Sequence, residues 1–223
     1  MKNTTHSDEV RLSSRYQKRE DWTDNYGYKT IKGGRFVELI KESGGIPPLA
    51  VEIGVGRAGI ASTVSAAGAR VFGFDLSADI LQRAKAHAQA TNVGLLRASG
   101  FALPFKTGSL PLIYASQVLH LFDSDSRLVV MREAHRVLQP GGRFIFDMKN
   151  VSTHLVRYLR YSPDRRRRAY PSHNEIVALL KEASFGPPDI RPGVLPLLKW
   201  THVPNTGLFR TLAHTTFFIA RRA

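Results

Sequence analysis

The sequence predicts an α/β fold in which helices cover both faces of a doubly wound, mostly parallel sheet. From residue 49 onward, short β-type runs alternate with helical stretches, a pattern typical of parallel sheets. The first run, 49–53, breaks directly into closely spaced glycines and then an Ala-rich helical stretch. This break predicts a strand, a tight turn and a helix, because glycine adopts backbone angles that other residues avoid.

The predicted elements follow one another without a long linker. Strands are predicted at 49–53, 69–74, 93–98, 111–116, 142–148, 188–200 and 211–220. Helices are predicted at 30–42, 57–67, 78–91, 124–138 and 172–183, with a shorter one at 153–160. Ser77 is predicted to cap the helix 78–91, and Pro140-Gly141-Gly142 predicts a turn between the helix and strand on either side of it.

Composition narrows the class of protein. The 223 residues include no cysteine, which excludes disulfides, thiolate nucleophiles and Cys-ligated zinc. No apolar run approaches the ~20 residues that span a bilayer, and the polar start, 1–15, lacks the apolar centre of a secretory signal. A single-domain cytoplasmic protein is expected. No spacing of His, Asp or Glu suggests a metal site.

The net charge of +14 is concentrated in the last third of the chain. Residues 149–223 carry thirteen Lys/Arg against four Asp/Glu, and four of these arginines form the run 165–168. A solvated basic loop explains this charge, and so does a surface that attracts an anionic substrate, nucleic acid or an acidic membrane. Both readings stay open at this point.

The glycines and one acid predict a nucleotide-like cofactor. Gly54 and Gly56 let a ligand approach the main chain, and the next helix offers it unpaired N–H groups. Asp75 closes the following strand, where a carboxylate can accept both hydroxyls of a ribose. Gly54-x-Gly56-x-x-Gly59 with Asp75 also satisfies the dinucleotide fingerprint, so a nicotinamide enzyme is an alternative.

Three features count against a nicotinamide enzyme. Glu52 stands on the strand where a dinucleotide site usually has an apolar residue. The Tyr-x-x-x-Lys pair of short-chain dehydrogenases should follow the nucleotide motif, whereas Tyr28 and Lys32 precede it. The second half of the chain also carries a different pattern: Leu103-Pro104-Phe105, then Val118-Leu119-His120, then Glu133-Ala134-His135-Arg136-Val137-Leu138-Gln139-Pro140-Gly141-Gly142.

Together with Glu52-x-Gly54-x-Gly56 and Asp75, this order and spacing resembles the class I S-adenosylmethionine-dependent methyltransferases. The resemblance is to their small type-11 members, which are similar to ubiquinone/menaquinone-biosynthesis enzymes, and it covers residues 49–148. It implies a Rossmann-like, seven-stranded sheet whose last strand is antiparallel. It also divides the single domain into an arm and helix (1–45), a cofactor-binding core (46–148), a basic insertion (149–171) and a C-terminal helix and strand pair (172–223).

The resemblance implies S-adenosylmethionine as cofactor and S-adenosylhomocysteine as product. The residues implied to bind it are Tyr28, Glu52, Gly54, Gly56, Asp75, Leu76, Ser99, Gly100, Ser116 and Gln117. Asp75 would take the ribose hydroxyls and Leu76 would pack on the adenine. Ser99 stands where relatives have an acid for the adenine amino group, and Pro111 stands where they commonly have Asp. These two departures weaken the match at the adenine end.

His120 is the candidate general base, because it follows the fourth strand on the ligand-binding edge of the sheet; the alternative is that it packs or caps a loop. The stretch from which relatives often build the acceptor pocket contains His154, Arg157, Tyr158 and Arg160. The expected activity is O- or N-methylation of a small molecule, one whose carboxylate or phosphate arginines could clamp. The alternatives are an RNA methyltransferase and a non-catalytic protein that binds through its basic surface.

Overall fold

The computed structural model describes residues 26–89, 91–149, 171–193, 205, 206, 208, 213 and 215–223. The helices in these ranges are α1 (Tyr26–Glu42), α2 (Gly59–Ala66), α3 (Ala78–Gln89), α4 (Ser124–Val137) and α5 (His173–Glu182). The strands are β1 (Leu49–Ile53), β2 (Arg70–Asp75), β3 (Val93–Arg97), β4 (Leu110–Ala115), β5 (Leu138–Lys149), β6 (Asp189–Pro192) and β7 (Thr215–Arg221). Within the described ranges, none of the helices combines the length and apolar character that crossing a bilayer needs.

The seven strands form one sheet in the order β3-β2-β1-β4-β5-β7-β6. The pairs from β3 to β5 are parallel, and β7 runs antiparallel to both β5 and β6. This confirms the predicted mostly parallel sheet with an antiparallel last strand. The strand order reverses between β1 and β4, so their carboxyl ends frame the crevice where sheets of this kind bind ligands.

Helices bury apolar side chains against both faces of the sheet. On one face α1, α2 and α3 share a core with alternate residues of the strands, and Phe36, Leu39 and Ile40 of α1 are fully buried in it. On the other face α4 and α5 pack on Phe144, Phe146 and neighbouring side chains. These three residues recur at helical spacing, so they lie on one side of α1.

Several boundaries differ from the prediction, most of them by one or two residues, and the starts of α1 and β5 each differ by four. α1 begins at Tyr26 rather than at residue 30. β5 begins at Leu138 rather than at 142, because the predicted turn is a bulge inside the strand. Leu110 pairs with Leu138 and Leu112 with Arg143, so the four residues 139–142 lie opposite the single residue Pro111 and β5 carries three extra residues there. Gly141 supports this bulge with a φ of 75°.

α1 is fixed to the rest of the molecule at its carboxyl end and along its middle. The buried Arg143 guanidinium donates to the carbonyl oxygens of Ile40 and Gly45, both at 2.8 Å, and so caps the helix end. Farther along, a Cβ on Gly33 would lie 2.6 Å from Oγ1 of Thr63 in α2. The two helices therefore touch because glycine stands at this position.

Candidate functional site

The loop after β1 packs against the loop after β4 at Gly54 and is open at Gly56. Gly54 has a φ of 73°, and a Cβ there would lie 2.2 Å from Cγ2 of Val118. Gly56 has a φ of 54°, and no described atom lies within 4 Å of the position its Cβ would take. One glycine thus permits close packing of the two loops, and the other leaves room for a ligand beside the main chain.

The amino end of α2 completes this loop. Ala58 precedes the helix in a left-handed conformation with a φ of 61°, and no side chain in the described part of the chain caps the helix start. The Val55 amide donates to the Phe74 carbonyl at 2.8 Å, which ties the loop to β2. α2 therefore begins at the carboxyl edge of the sheet, where the amides of a helix start can donate to a polar ligand.

Asp75 is held at the carboxyl end of β2. Its Oδ1 accepts a hydrogen bond from the Ser77 amide at 3.0 Å, which fixes the carboxylate next to the crevice. The Ser77 hydroxyl accepts from the Ile80 amide at 3.3 Å, so the predicted cap of α3 is confirmed. A fixed, half-buried carboxylate in this place is suited to accept hydroxyl groups of a ribose.

The segment after β3 borders the same part of the candidate site as Asp75. The Ser99 hydroxyl accepts from the Phe101 amide at 3.0 Å, which shapes a turn around the buried Gly100. Leu76 is half-buried, and its carbonyl accepts from Nε of Arg97 at 3.0 Å. Ser99 therefore has a structural hydrogen bond within this turn.

Two sequence motifs named above bind one another in the structure. Glu133 of α4 accepts from the Leu103 amide at 2.6 Å and from Nη2 of Arg136 at 2.7 Å. Arg136 in turn donates to the carbonyls of Leu103 and Phe105, both at 3.1 Å. This network clamps the Leu-Pro-Phe segment to α4, which explains physically why the two motifs occur together.

This clamp predicts a pH-dependent stability. Partial burial raises the pKa of Glu133, but the hydrogen bonds from Arg136 and the Leu103 amide outweigh it, so the net pKa lies below its ordinary value of 4.5. A lowered folded-state pKa adds stability above the unfolded-state value and loses it as the pH falls through the folded-state value. We expect Glu133→Gln to lower the free energy of unfolding at pH 7 by about 1–2 kcal/mol.

The difference between this variant and the wild type should shrink below about pH 4.5, as urea titrations at several pH values would show. Glu182→Gln, which removes an exposed partner of Arg132, is the matched control and should change stability little. A Glu133 effect that stays constant down to pH 3 would contradict this explanation.

Glu52 lies under the glycine loop, on the face of the sheet that α1 covers. It is 2% exposed and is aligned with Tyr114 on the neighbouring strand. Burial and, secondly, the Glu52 carboxylate raise the pKa of the Tyr114 phenol well above its ordinary value. Tyr114 therefore remains a neutral phenol beside Glu52.

The loop after β4 contains an arrangement that the sequence analysis missed. Gln117 has a left-handed backbone with a φ of 56°, and its amide donates to Oδ1 of Asp147 at 2.6 Å. The other carboxylate oxygen forms an ion pair with Lys32 of α1. Ser116 and Gln117 are half-buried at the carboxyl edge, as their position after β4 predicts. No sequence pattern links these three elements, because the contact is made only in the folded chain.

His120 lies in a single 3₁₀ turn, Leu119–Leu121, just beyond β4, and is 6% exposed. The turn is held because the Leu119 carbonyl accepts from Nε of Arg127 at 3.1 Å. A second histidine, which the sequence analysis did not single out, lies at the same edge of the sheet: His173 makes a 3.0 Å hydrogen bond to Oγ1 of Thr216. In the sequence, the position of His173 at the start of a predicted helix is the feature that could have drawn attention to it.

The remaining predicted site residues are not placed by side chain. Tyr28 belongs to α1, where only its backbone is described. His154, Arg157, Tyr158 and Arg160 lie outside the described residues, as do the predicted helix 153–160 and the arginine run 165–168. In the part of the chain that is described, no group of three or more His, Asp or Glu is arranged to hold a metal ion.

Comparison with known proteins shows similarity to methyltransferases over the part of the chain that forms this site. Residues 51–146 match the family model described as a methyltransferase domain. A demethylmenaquinone methyltransferase of Lactococcus lactis is 34% identical over 79 residues, which cover 34% of this chain and 31% of the relative. The matched segment is thus less than a third of that relative's length.

Solved structures share the whole fold at low sequence identity. An S-adenosylmethionine-dependent methyltransferase of Thermotoga maritima superposes with a TM-score of 0.70 at 16% identity, covering 96% of this chain and 100% of its own. The magnesium protoporphyrin IX methyltransferase of Synechocystis, solved with bound S-adenosylhomocysteine, has a TM-score of 0.64 at 16% identity, covering 99% and 96%. Residues 51–146 are therefore similar to a methyltransferase domain, and the solved structures that share the fold include S-adenosylmethionine-dependent methyltransferases.

Proposed function

We propose that this protein transfers the methyl group of S-adenosylmethionine to oxygen or nitrogen of a small-molecule acceptor. The observation that carries the proposal is the crevice between β1 and β4, where the open side of Gly56 and the fixed carboxylate of Asp75 lie at neighbouring strand ends. These residues fit the cofactor, because they combine room beside the main chain with acceptors for a ribose.

When bound, the cofactor supplies an activated methyl carbon, and the protein contributes orientation and a water-poor site. Gly54, Gly56 and Asp75 would hold and orient it, with Leu76, Ser99 and Gly100 at the adenine and Ser116 and Gln117 near the sulfonium. The buried Glu52 supports binding of a cation from below the loop. We assign Tyr28, at the amino end of α1, to the segment that covers the bound cofactor. We assign His154, Arg157, Tyr158 and Arg160 to the acceptor pocket. Both assignments follow from the positions of these residues in the sequence.

His120 is the proposed general base. An acceptor hydroxyl or ammonium must lose a proton to attack the methyl carbon, and a neutral imidazole can take it near pH 7. The burial of His120 directly after β4 supports this role, because that edge of the sheet carries the cofactor residues. Two relatives are named for small-molecule acceptors, demethylmenaquinone and magnesium protoporphyrin IX, which supports a small molecule here. The basic C-terminal third favours one that bears a carboxylate or phosphate.

The test is to incubate the protein with S-adenosylmethionine labelled in its methyl group and two acceptor pools. One pool holds small metabolites with carboxylate or phosphate groups, and the other holds total RNA. We expect label in the small-molecule pool, and His120→Gln should lower kcat by about 10²-fold while leaving the affinity for S-adenosylhomocysteine within about twofold. Label in RNA alone would favour the RNA methyltransferase, and RNA binding without cofactor binding would favour the non-catalytic alternative.

A further inference from the structure

We propose that Lys32 and Asp147 are positioning residues, and that their buried ion pair couples the seating of α1 to the conformation of the loop after β4. Through Gln117 this coupling sets the geometry at the reactive end of the cofactor site. The inference rests on the proposed function, because it assigns supporting residues to the same site.

The ion pair is almost completely removed from water. The side chains of Lys32 and Asp147 are 7% and 1% exposed, and Asp147 lies opposite the buried Phe217 on β7. A buried ion pair gains little net stability over apolar residues of similar size, because both charges lose their hydration. Removing only one partner is costly, since it leaves the other charge buried alone. The pair is thus an inefficient way to add stability but a strong constraint on where α1 can lie.

Asp147 also fixes a backbone conformation that Gln117 would not adopt by itself. Glutamine has no side-chain feature that favours a φ of 56°, and this left-handed region is uncommon for residues other than glycine. The 2.6 Å hydrogen bond from the Gln117 amide to Oδ1 of Asp147 is charge-assisted and therefore strong. One carboxylate thus holds α1 with one oxygen and the loop after β4 with the other.

α1 contacts an element next to each of the two loops that flank the crevice. Through Gly33 it packs against Thr63 of α2, the helix that begins where the glycine loop ends. Through Lys32, one residue earlier, it reaches Asp147 and so the loop after β4. The Arg143 cap at its far end holds α1 independently of the ion pair. Loss of the Lys32 contact should therefore loosen the amino-terminal half of α1 while the Arg143 cap still holds its carboxyl end.

Three variants separate positioning from simple anchoring. Lys32→Met removes the ammonium, and Asp147→Asn keeps an oxygen for the Gln117 amide but removes the charge. The double variant carries no buried charge at either position, so its stability should return close to that of the wild type. Arg132→Met, which breaks the exposed pair with Glu182 on the other face of the sheet, is the matched control.

Each variant would be measured in three ways: hydrogen exchange and chemical shift of the Gln117 amide by NMR, affinity for S-adenosylhomocysteine, and the urea midpoint. In Lys32→Met we expect exchange at Gln117 to become at least about tenfold faster and the affinity to fall about tenfold. The double variant should recover the urea midpoint but neither the Gln117 protection nor the affinity. The control should match the wild type in all three.

Two results would overturn the proposal. One is unchanged Gln117 exchange and shift in Lys32→Met, which would show that α1 and the loop are independent. The other is full recovery of Gln117 protection and affinity in the double variant, which would make the pair an ordinary anchor. A wild-type protein that does not bind S-adenosylhomocysteine would refute the proposed function, whereas the Gln117 measurements would still decide whether the coupling exists.

Discussion

Asp75→Ala should weaken binding of S-adenosylhomocysteine by about 10²-fold or more. Two hydrogen bonds from ribose hydroxyls to a carboxylate contribute about 1.5–3 kcal/mol each, and alanine supplies neither. The carboxylate is already held in place by the Ser77 amide, so little ordering is needed when the ligand arrives. Isothermal titration calorimetry of the wild type and the variant would measure the loss.

Asp75→Asn is the matched control for this prediction. It keeps the size of the side chain and an oxygen for the Ser77 amide, but it loses the charge, so we expect a loss of about tenfold. Urea titrations would show whether either variant also loses stability through the start of α3. If Asp75→Ala binds as tightly as the wild type, the ribose does not lie at the end of β2 and the assignment of the site is wrong.

Gly54→Ala should strongly disrupt both the stability of the fold and the candidate site. It would place a Cβ 2.2 Å from Cγ2 of Val118 on a backbone with a φ of 73°. The backbone strain and the overpacking together should cost about 2–4 kcal/mol of stability. Because the loops after β1 and β4 would be forced apart, the variant should also lose affinity for S-adenosylhomocysteine. Thermal unfolding and calorimetry would measure the two effects.

Two further variants divide this effect into its causes. Gly45→Ala has a comparable φ of 80° but nothing within 4 Å of the added Cβ among the described residues, so it should show the backbone strain alone. Val118→Ala combined with Gly54→Ala removes the clashing methyl and should restore part of the stability. Equal destabilisation by Gly54→Ala and Gly45→Ala would show that packing of the two loops is unimportant.

The local parts of this fold could be predicted from the sequence. The strand at 49–53 agrees with the structure at both ends, and Ser77 caps α3 as predicted, because strand pattern and capping depend on neighbouring residues. Pro140-Gly141-Gly142 was recognised as a break. That the break is a bulge within β5 could not be seen, since a bulge is defined by the partner strand.

The non-local parts of the site could not be predicted. The two partners of Asp147, Lys32 and the Gln117 amide, lie far from it in the chain and are known only from the structure. The left-handed conformation of Gln117 also gives no sequence signal, because glutamine does not favour it. By contrast, the tight turn at Gly54 and Gly56 could be predicted, because it depends on local backbone geometry.

The most direct test of the central claim is calorimetric titration of the wild-type protein with S-adenosylhomocysteine and, separately, with NADH. The same glycine loop and Asp75 satisfy the fingerprints of both cofactor classes. These residues alone therefore do not distinguish S-adenosylmethionine from a nicotinamide cofactor, and binding has to be measured. We predict binding of S-adenosylhomocysteine with a Kd of about 1–100 μM, corresponding to about −8 to −5.5 kcal/mol, and no measurable heat from NADH. Binding of NADH without binding of S-adenosylhomocysteine would contradict the account.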